Sequence, residues 1–262
     1  MKFFDCFMYY DEDLILDIRL NTLNDYIDKF VIVEAKRDHQ GNEKKLNFQV
    51  DNFKKFEKKI IYKVIETFPE KQTDWERENF QRNFIATGLN SAEEDDYIII
   101  SDVDEIPDLS NLKNNQKNRY TVFEQKMFYY KINLLNKTTP IWFGSKMCKK
   151  KYLKSPQWLR NQKVKRHSFW KFYKIKKWNV IKNGGWHFSF LMTPKRIKKK
   201  IESYAHSEFN TINFTELDNI KYSVEKRIDI FHRDMNYQKI DFDNSFPNYI
   251  VNNKNKFKDW IL

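Results

Sequence analysis

The chain has 262 residues, with 48 Lys and Arg against 36 Asp and Glu and a formal charge of +12. Its 40% hydrophobic and 17% aromatic content supplies enough apolar surface for a core, which excludes an intrinsically disordered chain, and its length suits one large α/β domain. The positive field attracts anions, whether phosphorylated small molecules, nucleic acid or an anionic lipid surface, and does not choose among them.

No run approaches the roughly 18 apolar residues that span a bilayer. Asp5 interrupts the stretch where a signal peptide needs its apolar core. The expectation is therefore a cytoplasmic or otherwise intracellular protein without signal peptide or membrane anchor, with peripheral membrane contact left open. Cys6 and Cys148 each sit in apolar, strand-like sequence, so buried free thiols are expected rather than a disulfide.

Short apolar runs alternate with amphipathic stretches over the first hundred residues, the pattern of β-α units feeding a mainly parallel, mixed central sheet. Lys2–Met8 reads as the first strand. Asp11-Glu12-Asp13 starts a helix over Leu14–Leu23, and Lys29–Ala35 is the second strand. A connection through Gly41 leads to a helix near Phe48–Phe56 and a third strand, Ile60–Ile65. Thr73 and Glu76 match a capping box, with Phe80 and Phe84 one turn apart on a face to be buried and Gly88 as the stop. Tyr97–Ser101 is a continuous apolar strand, as a central strand covered on both faces requires.

Beyond residue 120 the aromatic strands Val122–Tyr130 and Ile141–Cys148 suggest an antiparallel or mixed part of the sheet. Thr193-Pro194 opens a basic helix through about Ala205, a further helix covers Leu217–Ile230, and the tail around Pro247 is expected to pack back onto the domain. The division expected is one domain over 1–262, with a nucleotide-binding half at 1–110 and an acceptor half with the packing tail at 111–262.

Asp102-Val103-Asp104 lies directly beyond the buried strand, where open α/β sheets place their ligand crevice. Two carboxylates separated by one residue can aim oxygens at one hard divalent cation, which can bridge to a diphosphate. Glu93, Glu94, Asp95, Asp96, Glu105 and Asp108 add to this acidic concentration in a basic chain; the alternative is that the carboxylates cap the turn before Ile106-Pro107.

Gly184-Gly185-Trp186-His187-Phe188-Ser189 allows close backbone approach and presents an imidazole. His187 can complete a metal shell, touch phosphate or serve in proton transfer, and Trp186 can stack on a sugar, unless both are simply packed in the core. Ala205-His206-Ser207-Glu208-Phe209 places a carboxylate and an imidazole after the basic helix, and Glu208 is the first choice for the catalytic base, with His187 second. Arg19, Arg77 and Arg82 can bind phosphate or, as the simpler reading, form ion pairs with Glu34 and the acidic run. Lys149–Lys151 and Lys198–Lys200 read as solvated faces.

Taken together, DEDLILDIRLNTLNDYIDKFVIVEA at 11–35, WERENFQRN at 75–83, IIISDVDEIP at 98–107, GGWHFSF at 184–190 and SYAHSEFN at 203–210 resemble glycosyltransferase family seventeen over most of the chain. The resemblance implies a GT-A-type nucleotide-sugar-binding fold and a UDP-linked donor carrying GlcNAc or another hexose. It also implies a divalent metal, Mn2+ or Mg2+, inversion at the anomeric carbon, and a glycan, glycoprotein or lipid-linked saccharide as acceptor. Asp102 and Asp104 match the metal motif, with Asp102 also on the donor; Glu12, Arg19, Glu34, Arg77, Arg82, Trp186 and His206 match recurrent positions assigned to donor binding. Two rival classes stay open, a metal-dependent phosphodiesterase or nuclease and a basic nucleic-acid-binding module. Neither accounts for D-x-D after a buried strand together with GGWHFSF, so no nucleic-acid partner is expected.

Overall fold

The computed structural model describes residues 1–110, 112, 119–164, 175 and 177–262. The chain opens with β1 (Phe3–Met8), α1 (Asp13–Leu23), β2 (Lys29–Ala35), β3 (Ile60–Ile65), α2 (Asp74–Phe84) and β4 (Tyr97–Ile100). It continues through β5 (Glu105–Pro107), β6 (Tyr120–Phe123), β7 (Gln125–Tyr129), β8 (Leu134–Asn136), β9 (Ile141–Trp142), β10 (Lys146–Lys149), α3 (Pro156–Arg160), β11 (Asn179–Ile181) and β12 (Gly185–Ser189). The last elements are α4 (Pro194–Ser203), α5 (Ile212–Thr215), α6 (Leu217–Lys226), β13 (Tyr237–Lys239) and α7 (Asn248–Asn252).

The main sheet runs β11-β6-β10-β4-β1-β2-β3. Its β3-β2-β1-β4 half is parallel, β10 is antiparallel to both neighbours, and β11 is parallel to β6. Mixed α/β architecture with a mainly parallel central half is thus as expected. Alternate residues of β1 and β2 serve different cores, as the two-residue strand period demands. Phe7, Phe30 and Ile32 meet Leu16, Leu20 and Leu23 of α1 on one face, while Phe4, Cys6, Val31 and Val33 meet Ile85 and Leu89 on the other. Cys6 and Cys148 are buried and free, and burial pushes the Cys148 thiol up to about 12.

A second sheet runs β13-β8-β7-β12-β5, with β9 also paired to β7. Two expected single strands are therefore split between sheets. Val122–Tyr130 breaks at Glu124, whose backbone N–H donates to Ile181 O (2.9 Å) and whose carbonyl accepts from Gly184 (2.7 Å), so β6 stays in the first sheet and β7 crosses to the second. Ile141–Cys148 breaks in the same way at Phe143–Ser145, with β9 on β7 and β10 between β4 and β6.

Three helix expectations also change. The Phe48–Phe56 segment is a 3-10 stretch over Val50–Lys59, interrupted at Phe53, whose ring stacks on Phe48 at 5.8 Å. The last long helix stops at Lys226 because Arg227 is left-handed (φ 58°) and Asp229 turns away to accept bonds from Arg233 and Tyr237. Gly88 closes a 3-10 turn after α2, not α2 itself. The Thr73–Glu76 capping box forms as expected, and the tail packs back through Phe246, Ile250 and Phe257 onto the α1 core. No described helix is long and apolar enough to cross a membrane.

Candidate active site

A cleft of about 1050 Å3 opens at the carboxyl ends of β1, β2 and β4. In the main sheet β1 has β2 on one side and β4 on the other, so consecutive chain segments diverge there, the position at which open α/β sheets bind ligands. The Asp102–Glu105 loop forms its floor, passing from β4 of the first sheet to β5 of the second.

The loop is fixed from beneath by Arg19. Its guanidinium is fully buried and donates through Nε and Nη2 to Asp5 (2.7 and 2.6 Å). Nη1 donates to the carbonyls of Asp102 (3.0 Å), Val103 (3.2 Å) and Glu105 (2.7 Å). This explains a charged residue in the middle of the apolar strand β1, since a buried arginine holding three carbonyls needs a carboxylate beside it.

Asp102 accepts from Arg82 Nη2 (3.0 Å) and Arg160 Nη2 (2.6 Å). Burial pushes its carboxyl up, but the two guanidinium charges outweigh burial and hold it well below the usual carboxylate range. Glu105 is buried and takes the Trp142 indole N–H (2.5 Å), Arg160 (3.0 and 2.8 Å) and the Asp102 amide (2.9 Å). Asp104 lies 3.6 Å from His187 Nε2 through Oδ1 and 3.4 Å from Lys200 Nζ through Oδ2. Lys200 also lies 3.4 Å from Glu12 Oε1. Burial lowers the Lys200 pKa, yet Asp104 and Glu12 outweigh it and raise the ammonium above its ordinary value.

His187 reaches this position because β12 pairs antiparallel with β5, placing His187 opposite Glu105. Gly185 makes that approach possible, with φ +132° and a backbone so close that a Cβ would stand 2.2 Å from Ile106 O. Strand alternation sends His187 to the cleft and Trp186 to the core, where its N–H donates to Ser245 O (3.0 Å). Trp186 is therefore a buried anchor for the tail and not a sugar-stacking surface.

The sequence model of glycosyltransferase family 17 matches residues 1–259. This chain belongs to glycosyltransferase family 17. Among curated proteins it is similar to the beta-1,4-mannosyl-glycoprotein 4-beta-N-acetylglucosaminyltransferases of Homo sapiens, Rattus norvegicus and Mus musculus, at 30%, 30% and 29% identity over 103 residues. The aligned stretch covers 36% of this chain and 19% of each relative.

Of the expected site residues, the fold brings Glu12, Arg82, Asp102, Asp104, His187 and His206 to the cleft. Others act behind it. Arg19 holds the acidic loop; Glu34 takes Lys44 (2.5 Å), the amides of Asn47 (2.7 Å) and Phe48 (3.0 Å), and the Tyr62 hydroxyl (2.8 Å). Arg77 donates to His39 O (2.6 Å) and Asp74 (2.6 Å). Ion pairing thus accounts for all three arginines, although Glu34 pairs with Lys44 and not with an arginine. Glu208 is exposed and does not line the cleft; its bond to His206 Nδ1 (2.7 Å) holds its carboxyl below the ordinary value, which weakens it as a proton acceptor.

The acidic concentration is also smaller than it reads. Asp95 is neutralised by Lys149 and Lys151 (2.7 Å each), and Asp96 caps the amides of Lys2 and Glu93, so neither faces the cleft. Arg160, Lys146 and Trp142 belong to the site without having been singled out, and Lys200, expected on a solvated face, instead reaches Asp104 and Glu12 in the cleft. Spacing to the buried Ile197 and Ile201 sets Lys199 apart on the far side of α4 but leaves Lys198 and Lys200 equivalent, so the sequence does not single out Lys200.

Proposed function

We propose that this glycosyltransferase moves a sugar, GlcNAc or another hexose, from a UDP-linked donor to a hydroxyl of a glycan, glycoprotein or lipid-linked saccharide. The reading includes inversion at the anomeric carbon and a divalent cation, Mn2+ or Mg2+. One observation carries it: the family's acidic loop lies at the carboxyl edge of the parallel strands, with Asp104 meeting His187 and Lys200. A GT-A-type fold over 1–262 is supported by the parallel β3-β2-β1-β4 block within residues 1–110 and by the crevice at which strand order reverses.

Among the described residues no three or more His, Cys, Asp or Glu side chains are gathered to hold a metal ion, so the cation would rest on few protein ligands. Asp104, just before β5, and His187 of β12 offer a carboxylate oxygen and an imidazole nitrogen 3.6 Å apart, whereas both carboxylate oxygens of Asp102, the other expected ligand, are taken by Arg82 and Arg160. Lys200, held between Asp104 and Glu12, marks a place where positive charge is already favoured. When bound, the cation would act as a Lewis acid on the departing diphosphate.

The chain's own residues supply the rest. Arg82, Arg160 and Lys200 surround the acidic loop with positive charge that can receive a diphosphate, and Arg19 fixes the loop backbone so that these charges need no rearrangement as the leaving group develops. Both rival classes lack this support, because family 17 membership names glycosyl transfer.

The test is incubation with a panel of UDP- and GDP-sugars and saccharide acceptors in Mn2+, with products read by mass spectrometry. The proposal expects a new glycoside and free UDP. Cleavage of oligonucleotide phosphodiesters with no sugar transfer would reverse the assignment.

A further inference from the structure

Ile141, Trp142 and Phe143 are consecutive and exposed at 40%, 38% and 37%, whereas the other large apolar side chains exposed among the described residues stand singly in sequence. All three line the cleft. An exposed apolar run at the mouth of a charged cleft is costly unless something covers it.

The run is rigidly mounted. Ile141 and Trp142 pair with Lys126 and Gln125 of β7. The Trp142 indole N–H is spent on Glu105 Oε1, and its ring lies 5.4 Å from that of His187. Gly144 lets this bank close onto the acidic loop, since a Cβ there would stand 2.2–2.6 Å from the Glu105 carboxylate. With its polar atom satisfied, Trp142 offers the cleft an aromatic face.

Topology assigns the two banks. β4 lies between β1 and β10, and β10 is antiparallel, so its leading end, Lys146, sits at the carboxyl end of β4 beside Ile100. The Ile141–Phe143 run therefore borders the acidic loop from the side opposite the β1 and β2 loops. Tyr10, His39 and Trp75 occupy that other bank, at the crevice where doubly wound sheets receive nucleotides. The Ile141–Phe143 bank is left for the second substrate.

We infer that Trp142 and Phe143, with Ile141, form the acceptor subsite, a platform for the apolar C–H face of a pyranose ring. This rests on the glycosyl-transfer reading above. Aromatic faces suit such a ligand because they cover its apolar side without competing for its hydroxyl groups.

Saturation-transfer NMR of methyl glucoside, galactoside, mannoside and N-acetylglucosaminide, recorded with UDP and Mn2+ present, tests it on the full chain. Wild type should saturate one ring face of at least one glycoside. Phe143→Ala should weaken that binding roughly tenfold, the scale of one aromatic contact, and Trp142→Phe should retain it. UDP affinity by calorimetry should be unchanged in Phe143→Ala.

No glycoside signal in wild type, an unchanged signal in Phe143→Ala, or a UDP affinity lost with Phe143 would each overturn the assignment. Failure of wild type to bind any UDP- or GDP-sugar would instead sink the donor reading, and the glycoside signal would still report on the platform.

Discussion

Lys200 Nζ stands 3.4 Å from Asp104 Oδ2 and 3.4 Å from Glu12 Oε1, so a lysine already neutralises the carboxylate proposed for the metal. A divalent cation must compete with that ammonium. Unit charges at about 4 Å interact by about 4 kcal/mol at an effective dielectric near 20, less with partial solvent screening. Lys200→Met should therefore bind Mn2+ at least about tenfold more tightly without nucleotide, as read by electron paramagnetic resonance titration. Unchanged affinity would mean that the cation binds elsewhere.

Arg19 and Asp5 form a fully buried pair at the centre of β1 and α1. Arg19→Met leaves the Asp5 carboxylate buried alone and frees three loop carbonyls, which should cost about 3–5 kcal/mol in denaturant unfolding. Asp5→Leu added to it should recover part of that loss. A single variant with wild-type stability would show that the pair does not anchor the loop.

Burial, with Arg160 adding to it, pulls the Lys146 ammonium down to about 7. Unfolded, the same group binds its proton up to its ordinary lysine value, so between pH 7 and 8.5 the unfolded state holds more protons and stability rises with pH. The slope approaches about 1.4 kcal/mol per unit. Above about pH 9 the buried thiols, raised in pKa, act in the opposite sense. The advantage of Lys146→Met over wild type should shrink across pH 7–8.5, and parallel profiles would contradict the assignment.

His206 faces the cleft beside Trp75, ring centroids 4.6 Å apart, with Glu208 behind it. That bank belongs to the β1 and β2 loops, so the pair is placed to serve the donor. Glu208→Gln and His206→Ala should raise the donor KM while changing kcat little. A fall in kcat of roughly 10²-fold at unchanged donor affinity would instead make them the proton-transfer pair.

What the sequence reveals and conceals follows from how far each contact reaches along the chain. The acidic loop is legible because Ile98–Ile100 is continuously apolar and Asp102 follows it at once; the α2 cap is legible because Thr73 and Glu76 answer each other within one turn. Trp186 and His187 look alike in sequence, and only the pairing of β12 with β5 decides which faces the cleft. Arg160 reaches Asp102 across 58 positions. Nothing local in Ser155-Pro156-Gln157-Trp158-Leu159-Arg160 announces that destination, although Ser155 and Pro156 do announce the helix that carries it.

The central claim is that the Asp102–Glu105 loop binds a nucleotide diphosphate through a cation on Asp104. Calorimetric titration of UDP into wild type and Asp104→Asn, each with and without Mn2+, tests it most directly, with circular dichroism to confirm that the variant is folded. The account predicts that Mn2+ tightens UDP binding to wild type by at least about tenfold and leaves Asp104→Asn unaffected. Equal, Mn2+-enhanced binding of UDP to both proteins would contradict it.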